Sequence, residues 1–316
     1  MLASPIAMHI PDGFLSTTVS IIFWIISIII ISYALKRVNQ ELGERQLPLM
    51  GVLAAAIFAG QMLNFTIAGG TSGHLLGAAI ATILIGPFPA ILVMTSVVSI
   101  QALIFQDGGL LALGSNLFNM AVVGVVVSYM VYRTIYRLSG GKSWGIFVGG
   151  FAAAWLSIEV AALSCALQLA LSGTSPANIS VPAMGGIHAL IGIGEGLITV
   201  GALAFIYSAR RDIITHAESS ASQGKLVWVV GLSIAIGLAV LSPLASTNPD
   251  GLESVADQLG FLAKARPPSF IIIPDYIFPG ISNQALATII AGLFGILLVF
   301  GVVFGVSYWK QHRHRA

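Results

Sequence analysis

The stretch from Thr17 to Leu35, TTVSIIFWIISIIIISYAL, decides the class of fold because it contains 19 residues and no charged side chain. A helix needs about 20 mainly apolar residues to cross the hydrocarbon core of a bilayer. The whole chain has the same character, since 57% of its 316 residues are apolar and 8% are charged, against roughly a quarter charged in a soluble domain. The sequence therefore predicts an all-α integral membrane protein.

Seven further apolar segments are long enough to be read as membrane spans. They are Pro48–Ile67, Pro89–Phe105, Leu113–Tyr132, Gly145–Leu171, Ile187–Tyr207, Leu226–Leu244 and Ala285–Tyr308. A ninth segment, His74–Gly86, is short and runs into Pro87 and Pro89, which interrupt a helix because they lack amide donors and restrict the residue before them. It is either a short span or a re-entrant segment.

The positions of the charged residues choose between these two alternatives. With nine spans, twelve of the fourteen Lys and Arg residues lie on one side and only Lys264 and Arg266 lie on the other. The positive-inside rule makes the cation-rich side cytoplasmic. We therefore predict nine spans in the plasma (inner) membrane, with the amino terminus outside and the carboxyl terminus inside. The net charge of +2 offers no basic field for a nucleic acid.

Three histidines, His9, His74 and His188, then lie at the outer ends of spans. If Met8 were the mature amino terminus, its amine, the amide nitrogen of His9 and the His9 Nδ1 atom would chelate one metal ion through fused five- and six-membered rings. Square-planar nitrogen ligation suits Ni(II) or Cu(II). His74 is the best candidate for the fourth position, because the glycines around it permit close backbone approach, and His188 is a weaker candidate. The alternative for each is a solvated or hydrogen-bonded histidine.

Several motifs resemble those of the CbiM/NikM family, the membrane-embedded substrate-binding components of cobalt and nickel energy-coupling factor transporters. These motifs are Met8-His-Ile-Pro-Asp-Gly-Phe-Leu, Gly69-Gly-Thr-Ser-Gly-His-Leu-Leu-Gly, Gln101-Ala-Leu-Ile-Phe-Gln-Asp-Gly-Gly-Leu, Gly114-Ser-Asn-Leu-Phe-Asn-Met and His188-Ala-Leu-Ile-Gly-Ile-Gly-Glu-Gly-Leu. The resemblance covers roughly Met8–Tyr207 and places the metal ligands on Met8, His9 and His74. It also implies two kinds of partner, a transmembrane coupling component and two ATPase subunits.

The chain departs from the family pattern at its beginning, because seven residues precede Met8 and an internal methionine has no free amine. Seven residues are too few for a secretory signal, which needs an apolar core of about 7–15 residues. The two remaining explanations are translation from Met8 and cleavage after Ala7. We expect translation to begin at Met8.

The carboxyl-terminal part resembles the small two-span N component of these transporters, fused here to the metal-binding component. The resemblance divides the chain into residues 8–215, with about seven spans, and residues 226–310, with an extracellular loop at 245–284. Within this loop, Asn248 is predicted to cap a short helix with Pro249 in its first turn. Gly260 is predicted to end that helix.

Other polar residues at membrane depth need partners, because lipid offers none. Glu159 and Glu195 suggest gating or a route for the metal, with a structural role as the alternative. Four residues of the recognised motifs are predicted to form an amide-rich shell that orients His74, with helix packing as the alternative. They are Gln101, Asp107, Asn116 and Asn119.

Three functions remain to be weighed. The chain contains neither a phosphate-binding Gly-x-x-x-x-Gly-Lys-Ser/Thr sequence nor a His-Glu-x-x-His sequence, so it encodes no ATPase or zincin motif. The preferred function is a non-enzymatic binding subunit that takes up Ni(II) or Co(II), nickel being slightly favoured, without a resident cofactor. The second is a stand-alone secondary transporter or channel that uses Glu159 or Glu195, and an intramembrane enzyme ranks last.

Overall fold

The computed structural model describes residues 8–41, 46–215 and 224–313. Helices account for most of this part of the chain. Their bounds are α1 Thr17–Glu41, α2 Gln46–Gln61, α3 Ala78–Ile85, α4 Pro87–Ile100, α5 Leu113–Asn116, α6 Gly124–Leu138, α7 Ser143–Leu171, α8 Ala177–Ala209, α9 Arg211–Thr215, α10 Gly224–Leu241, α11 Gly251–Gln258 and α12 Gln284–Arg313. Two short strands, β1 Phe65–Thr66 and β2 Ser72–Gly73, form an antiparallel hairpin.

Six helical runs among the described residues are long and apolar enough to cross a membrane. They are Thr17–Gln40, Pro87–Phe105, Leu113–Leu138, Ser143–Leu171, Ala177–Ala209 and Gln284–Gly305. Two shorter apolar helices, Pro48–Gln61 and Trp228–Leu244, accompany them. The protein is therefore a multi-pass membrane protein, and the total of nine spans and their orientation stay predictions.

Two of these runs contain π-helical turns. Helix α4 continues as a π-helix over Gln101–Phe105, and a second π-helix, Leu117–Val123, joins α5 to α6. Such turns are frequent at functional sites because they disturb the regular hydrogen-bond ladder. Both carry residues of the motifs described above.

The predicted span Pro48–Ile67 is wrong at its carboxyl-terminal end, because α2 stops at Gln61 and the chain turns into the β1–β2 hairpin. The loop of this hairpin contains Gly69 and Gly70, which both have positive φ angles. Glycine tolerates this conformation, which most residues avoid. After the hairpin the chain returns to the bundle, and His74 directly follows β2.

The segment His74–Gly86 is helical only over Ala78–Ile85. Gly86 adopts φ 80° and ψ 172° and breaks the helix, and Pro87 starts α4. The break predicted at the Gly-Pro-Phe-Pro sequence is confirmed. The residues from His74 to Gly77 are not helical, so this segment is an extended approach followed by two turns of helix.

Helix α1 lies at the edge of the bundle and presents an apolar face outward. Its exposed side chains are Ile21, Ile22, Ile25, Ile28 and Ile29. Helices α10 and α12 pack on α2, while α7 packs between α6 and α8. Exposed isoleucines on a long helix fit contact with lipid rather than water.

The loop between α10 and α12 crosses the end of the bundle at which the amino-terminal segment lies. Arg266 N donates to Asp12 O at 2.7 Å, Ser72 N donates to Pro249 O at 2.8 Å, and Ile273 N donates to Ile104 O at 3.0 Å. These backbone contacts connect three separate parts of the loop to the rest of the protein. The loop thus forms a roof over this end of the bundle.

The short helix in the roof begins two residues later than the sequence predicts. Asp250, not Asn248, is its capping residue, because Asp250 Oδ1 accepts a hydrogen bond of 2.7 Å from Glu253 N. Asn248 instead offers its carbonyl to the Ser72 hydroxyl at 2.8 Å. Gly260, with φ 75°, follows the end of the helix as predicted.

Candidate metal site

The amino-terminal segment Met8–Ile10 is buried under the roof and held by backbone hydrogen bonds on both sides. Ile10 N donates to Asn116 Oδ1 at 3.0 Å, and Asn116 Nδ2 donates to Ile10 O at 3.1 Å. Gly109 N donates to the same Ile10 carbonyl at 2.9 Å. The side chain of Asn116 therefore pairs with the segment much as a neighbouring strand would, and it fixes the depth of Met8 and His9.

Asp12 fixes the loop that faces this segment. Its carboxylate accepts hydrogen bonds from Leu110 N at 3.1 Å and from Ala112 N at 3.0 Å. A Cβ atom on Gly109 would lie 2.1 Å from Asp12 Oδ1, so only glycine fits there. The Gln-Asp-Gly-Gly-Leu motif is thus a loop shaped to receive residues 8–12.

Asp107 makes the most direct contacts with the amino-terminal segment. Its Oδ1 atom accepts a hydrogen bond of 2.8 Å from Met8 N, and the same oxygen lies 3.2 Å from His9 Nδ1. The Asp107 carbonyl oxygen lies 3.2 Å from the same imidazole nitrogen. His9 Nε2 is buried and has no hydrogen-bond partner.

The ring of His74 meets the ring of His9 edge to face, with their centroids 5.7 Å apart and an interplanar angle of 84°. His74 Nδ1 is 3.0 Å from the carbonyl oxygen of Leu75, which leaves Nε2 as the nitrogen available for a ligand. The structure therefore brings together two of the three predicted metal-binding residues, and it places Met8 N beside them.

Glu195 holds the backbone that carries His74. This fully buried carboxylate on α8 accepts hydrogen bonds from Leu76 N at 3.0 Å and Gly77 N at 3.1 Å. Gln61 Nε2 donates to Leu76 O at 2.8 Å from the opposite side. Both oxygens of Glu195 thus bind amide groups at the start of α3, where Gly77 provides no side-chain cap.

The two imidazoles differ in their electrostatic surroundings. Burial lowers the pKa of His9, but the Asp107 carboxylate outweighs burial and raises it overall. The pKa of Asp107 is lowered, because His9 and the hydrogen bonds to its carboxylate outweigh the effect of burial. Burial and the neighbouring His9 lower the pKa of His74. His74 is therefore neutral near pH 7, the form in which imidazole binds metals.

His188 and Asp250 line the same cavity as His9 and His74. His188 Nδ1 lies 2.8 Å from the Met184 carbonyl within α8. A Cβ atom on Gly251 would lie 3.1 Å from His188 Nε2, so this ring packs against the roof. Burial raises the pKa of Asp250 to about 8. Asp250 was not singled out from the sequence, because Asn248 was predicted as the capping residue.

The hydrogen bonds of the amide-rich shell do not go to His74, which differs from the prediction. Asp107 and Asn116 bind residues 8–10, and Asn119 exchanges hydrogen bonds of 2.7 and 3.1 Å with Gln168 on α7. Gln101 is fully buried beside the Tyr276 hydroxyl. Asp107, Asn116 and Asn119 bind other parts of the protein, because His74 lies at the end of a separate hairpin and Glu195 holds the residues that follow it.

Within residues 8–41, 46–215 and 224–313, no group of three or more His, Cys, Asp or Glu side chains is placed to hold a metal ion. A site here would need backbone nitrogen atoms in addition to the two imidazoles. The chelate described above also needs His9 Nδ1, the atom that contacts Asp107. Residues 1–7, on which the choice of amino terminus depends, lie outside the described residues.

Comparison with known proteins places the chain among transport proteins. A family described as cobalt uptake substrate-specific transmembrane region, CbiM, matches residues 9–213, and a PDGLE domain matches residues 225–312. A protein of Archaeoglobus fulgidus named as a fused nickel transport protein, NikMN, is 38% identical and covers 96% of this chain and 99% of its own length. The cobalt transport protein CbiM of Geobacter sulfurreducens is 30% identical over 68% of this chain and 64% of its own length.

Two solved structures have the same arrangement of helices. A truncated transition metal transporter superposes with a TM-score of 0.56 at 32% identity and covers 64% of this chain and 99% of its own. A second transition metal transporter superposes with a TM-score of 0.57 at 29% identity and covers 70% and 99% of the two chains. The fold and its relatives define a multi-pass membrane protein of the transition-metal transporter class. The chain belongs to the CbiM family, with a PDGLE portion fused at its carboxyl end.

Proposed function

We propose that this protein is the membrane-embedded substrate-binding subunit of an energy-coupling factor ABC transporter and that it captures Ni(II) or Co(II) at the extracellular face. The observation that carries the proposal is the edge-to-face pair of the buried His9 and the half-buried His74, beside the seated amino-terminal segment. Its relatives are named as nickel and cobalt transport proteins. The metal ion is the cargo and not a resident cofactor.

The proposed ligands are the Met8 amine, the amide nitrogen and Nδ1 of His9, and Nε2 of His74. Four nitrogen atoms around one ion favour Ni(II) in a square plane. Metal binding would displace the proton that His9 Nδ1 holds toward Asp107 and release it to solvent, and the Asp107 carboxylate would remain as a nearby negative charge. The carboxylate would stay close to the metal, because Asp107 Oδ1 lies 3.2 Å from His9 Nδ1.

The proposed topology follows from the distribution of charge. Nine spans place the site outside and twelve of the fourteen cations inside. Residues 8–215 form the metal-binding component in this proposal, and residues 226–310 form the N-like portion whose loop, 245–284, is the roof. Since the chain has no ATPase motif, transport requires a transmembrane coupling component and two ATPase subunits.

Metal affinity is expected to increase with pH. The amine and the His9 amide must both lose protons before they bind the metal, so protons compete with Ni(II) at low pH. Titration calorimetry of the purified protein from pH 6 to pH 8.5 should show progressively tighter binding and proton release in buffers of different ionisation enthalpy. An affinity that does not change with pH would exclude amide ligation.

The second candidate, a stand-alone transporter driven by an ion gradient, assigns the work to Glu159 or Glu195. Glu195 is a poor proton carrier in this structure because both of its oxygens are bound to backbone amides.

We expect Glu195→Ala to weaken Ni(II) binding about 10-fold, the scale typical of residues that orient metal ligands. Binding should be measured beside Glu159→Ala, which removes the same carboxyl group from the partly exposed face of α7 and should change the affinity by less than about twofold.

Transport measurements separate the two mechanisms. In vesicles that contain the protein with its coupling and ATPase partners, Ni(II) uptake should require ATP and should continue when ionophores collapse the proton and sodium gradients. Uptake by the protein alone that stops with the ionophores would support the second candidate instead.

A further inference from the structure

Three non-glycine residues in the described part of the chain have positive φ angles, and all three meet at one junction. They are Gln106 at 56°, Asp275 at 54° and Tyr276 at 56°. This left-handed region is unfavourable for residues with a Cβ atom, and it persists only where the surrounding structure holds it. Gln106 precedes Asp107, and the other two belong to the roof.

At this junction, one hydroxyl group is hydrogen-bonded to one buried carboxylate. Tyr276 Oη donates a hydrogen bond of 2.6 Å to Asp107 Oδ2, and both residues are buried. The other oxygen, Oδ1, is the one bound to Met8 N and close to His9 Nδ1. Asp107 therefore joins the roof to the amino-terminal segment, with one oxygen serving each.

The neighbouring contacts hold this connection in place. Gln106 Oε1 accepts a hydrogen bond of 3.2 Å from Ile272 N, and Ile273 N donates to Ile104 O at 3.0 Å. The Tyr276 ring stacks on Phe105 with centroids 4.8 Å apart and an angle of 16°. The π-helix Gln101–Phe105 ends at Phe105, and Gln106 follows it in the left-handed conformation. Hydrogen bonds and ring packing thus fix the tyrosine hydroxyl over Asp107.

We propose that Tyr276 is a positioning residue for metal capture: the fused carboxyl-terminal portion uses its hydroxyl to orient Asp107, and through Asp107 it places Met8 N and His9. This inference rests on the proposed function. Without the hydroxyl, Oδ2 is buried with no donor, and the carboxylate turns to find one. Met8 N and His9 Nδ1 lose their fixed partner at the same time.

The test replaces the hydroxyl alone. Tyr276→Phe, in a protein that begins at Met8 and keeps the whole carboxyl-terminal portion, retains the ring that stacks on Phe105. We expect its Kd for Ni(II) to rise about 10-fold, as for other groups that orient metal ligands. The absorption spectrum of bound Ni(II) should also change, which a merely structural residue would not cause. Tyr132→Phe on α6 removes the hydroxyl of a different tyrosine, which is partly buried, and should leave Kd and spectrum unchanged. Thermal unfolding shows whether each variant is folded.

A double-mutant cycle tests whether Tyr276 acts through Asp107. Coupled residues give non-additive effects, so Tyr276→Phe should change Kd less than twofold when Asp107→Asn is already present. Full additivity, or unchanged affinity and spectrum in folded Tyr276→Phe, would overturn the inference. If the wild-type protein binds no Ni(II), or if binding survives the loss of both His9 and His74, the proposed function fails first. The two failures are therefore distinguishable.

Discussion

A protein whose first residue is Met8 will bind Ni(II) at least about 100-fold more tightly than the same protein with Ile6 and Ala7 still attached. The two added residues convert the Met8 amine into an amide, remove one direct ligand and open the first chelate ring. Two residues are needed, because with Ala7 alone the new amine, the Met8 and His9 amides and the His9 imidazole would form a square-planar four-nitrogen site of their own. Loss of a residue that merely orients a ligand costs about 10- to 100-fold in affinity, so loss of a ligand and its ring should cost more. The structure gives Met8 N, the atom that would become the amine, a defined place 2.8 Å from Asp107 Oδ1.

The measurement compares two purified proteins that differ by two residues at the amino terminus, with mass spectrometry to establish that terminus. Titration of Ni(II) should give a yellow, square-planar spectrum only for the protein that begins at Met8. A third protein with two extra residues at its carboxyl end controls for the added length. Equal affinities for the two amino termini would refute amine ligation.

His74→Ala is expected to weaken Ni(II) binding by about 100-fold or more, because it removes the fourth nitrogen and leaves water in its place. The three remaining nitrogen atoms come from Met8 and His9, which are held by Asp107 and Asn116 independently of the hairpin. Weak binding should therefore persist, with a spectrum shifted to lower energy. Loss of all binding together with a lower unfolding temperature would instead indicate a damaged fold.

His188→Ala provides the matched comparison for this variant. His188 lines the same cavity, but its Nδ1 faces the Met184 carbonyl and its Nε2 packs near Gly251. We expect its loss to change Ni(II) affinity by no more than a few-fold. If His188→Ala is as damaging as His74→Ala, the fourth ligand has been assigned to the wrong histidine.

The membrane class was accessible from the sequence because it depends on long apolar segments and few charges, both of which are local properties. Helices α7 and α12 therefore lie close to the predicted segments. The end of α2 was harder to predict from the sequence. Its apolar character continues beyond Gln61, whereas the chain turns there because the β1–β2 hairpin pairs Phe65 with Gly73. That pairing is a tertiary property that hydropathy does not record.

The candidate site, like the fold, could be predicted only in part. His9 and His74 were found from short motifs, and the structure brings their rings together. The partners of Asp107 were not accessible, because Tyr276 lies 169 residues further along the chain. The left-handed conformation of Tyr276 also has no signal in the sequence, since tyrosine rarely adopts it. Residues that act through long-range hydrogen bonds are therefore the ones that were missed.

The roof has a consequence for how the protein is made. Chains are synthesised from the amino terminus at about 5–20 residues per second, so Met8 and His9 leave the ribosome long before Tyr276. For that interval Asp107 has no tyrosine beside it, and the two histidines lack the cover of the roof. If Tyr276 positions the ligands as proposed, the nascent chain cannot hold nickel firmly until the roof arrives. Metal retention would then mark a completed polypeptide, and a truncated one would release its ion.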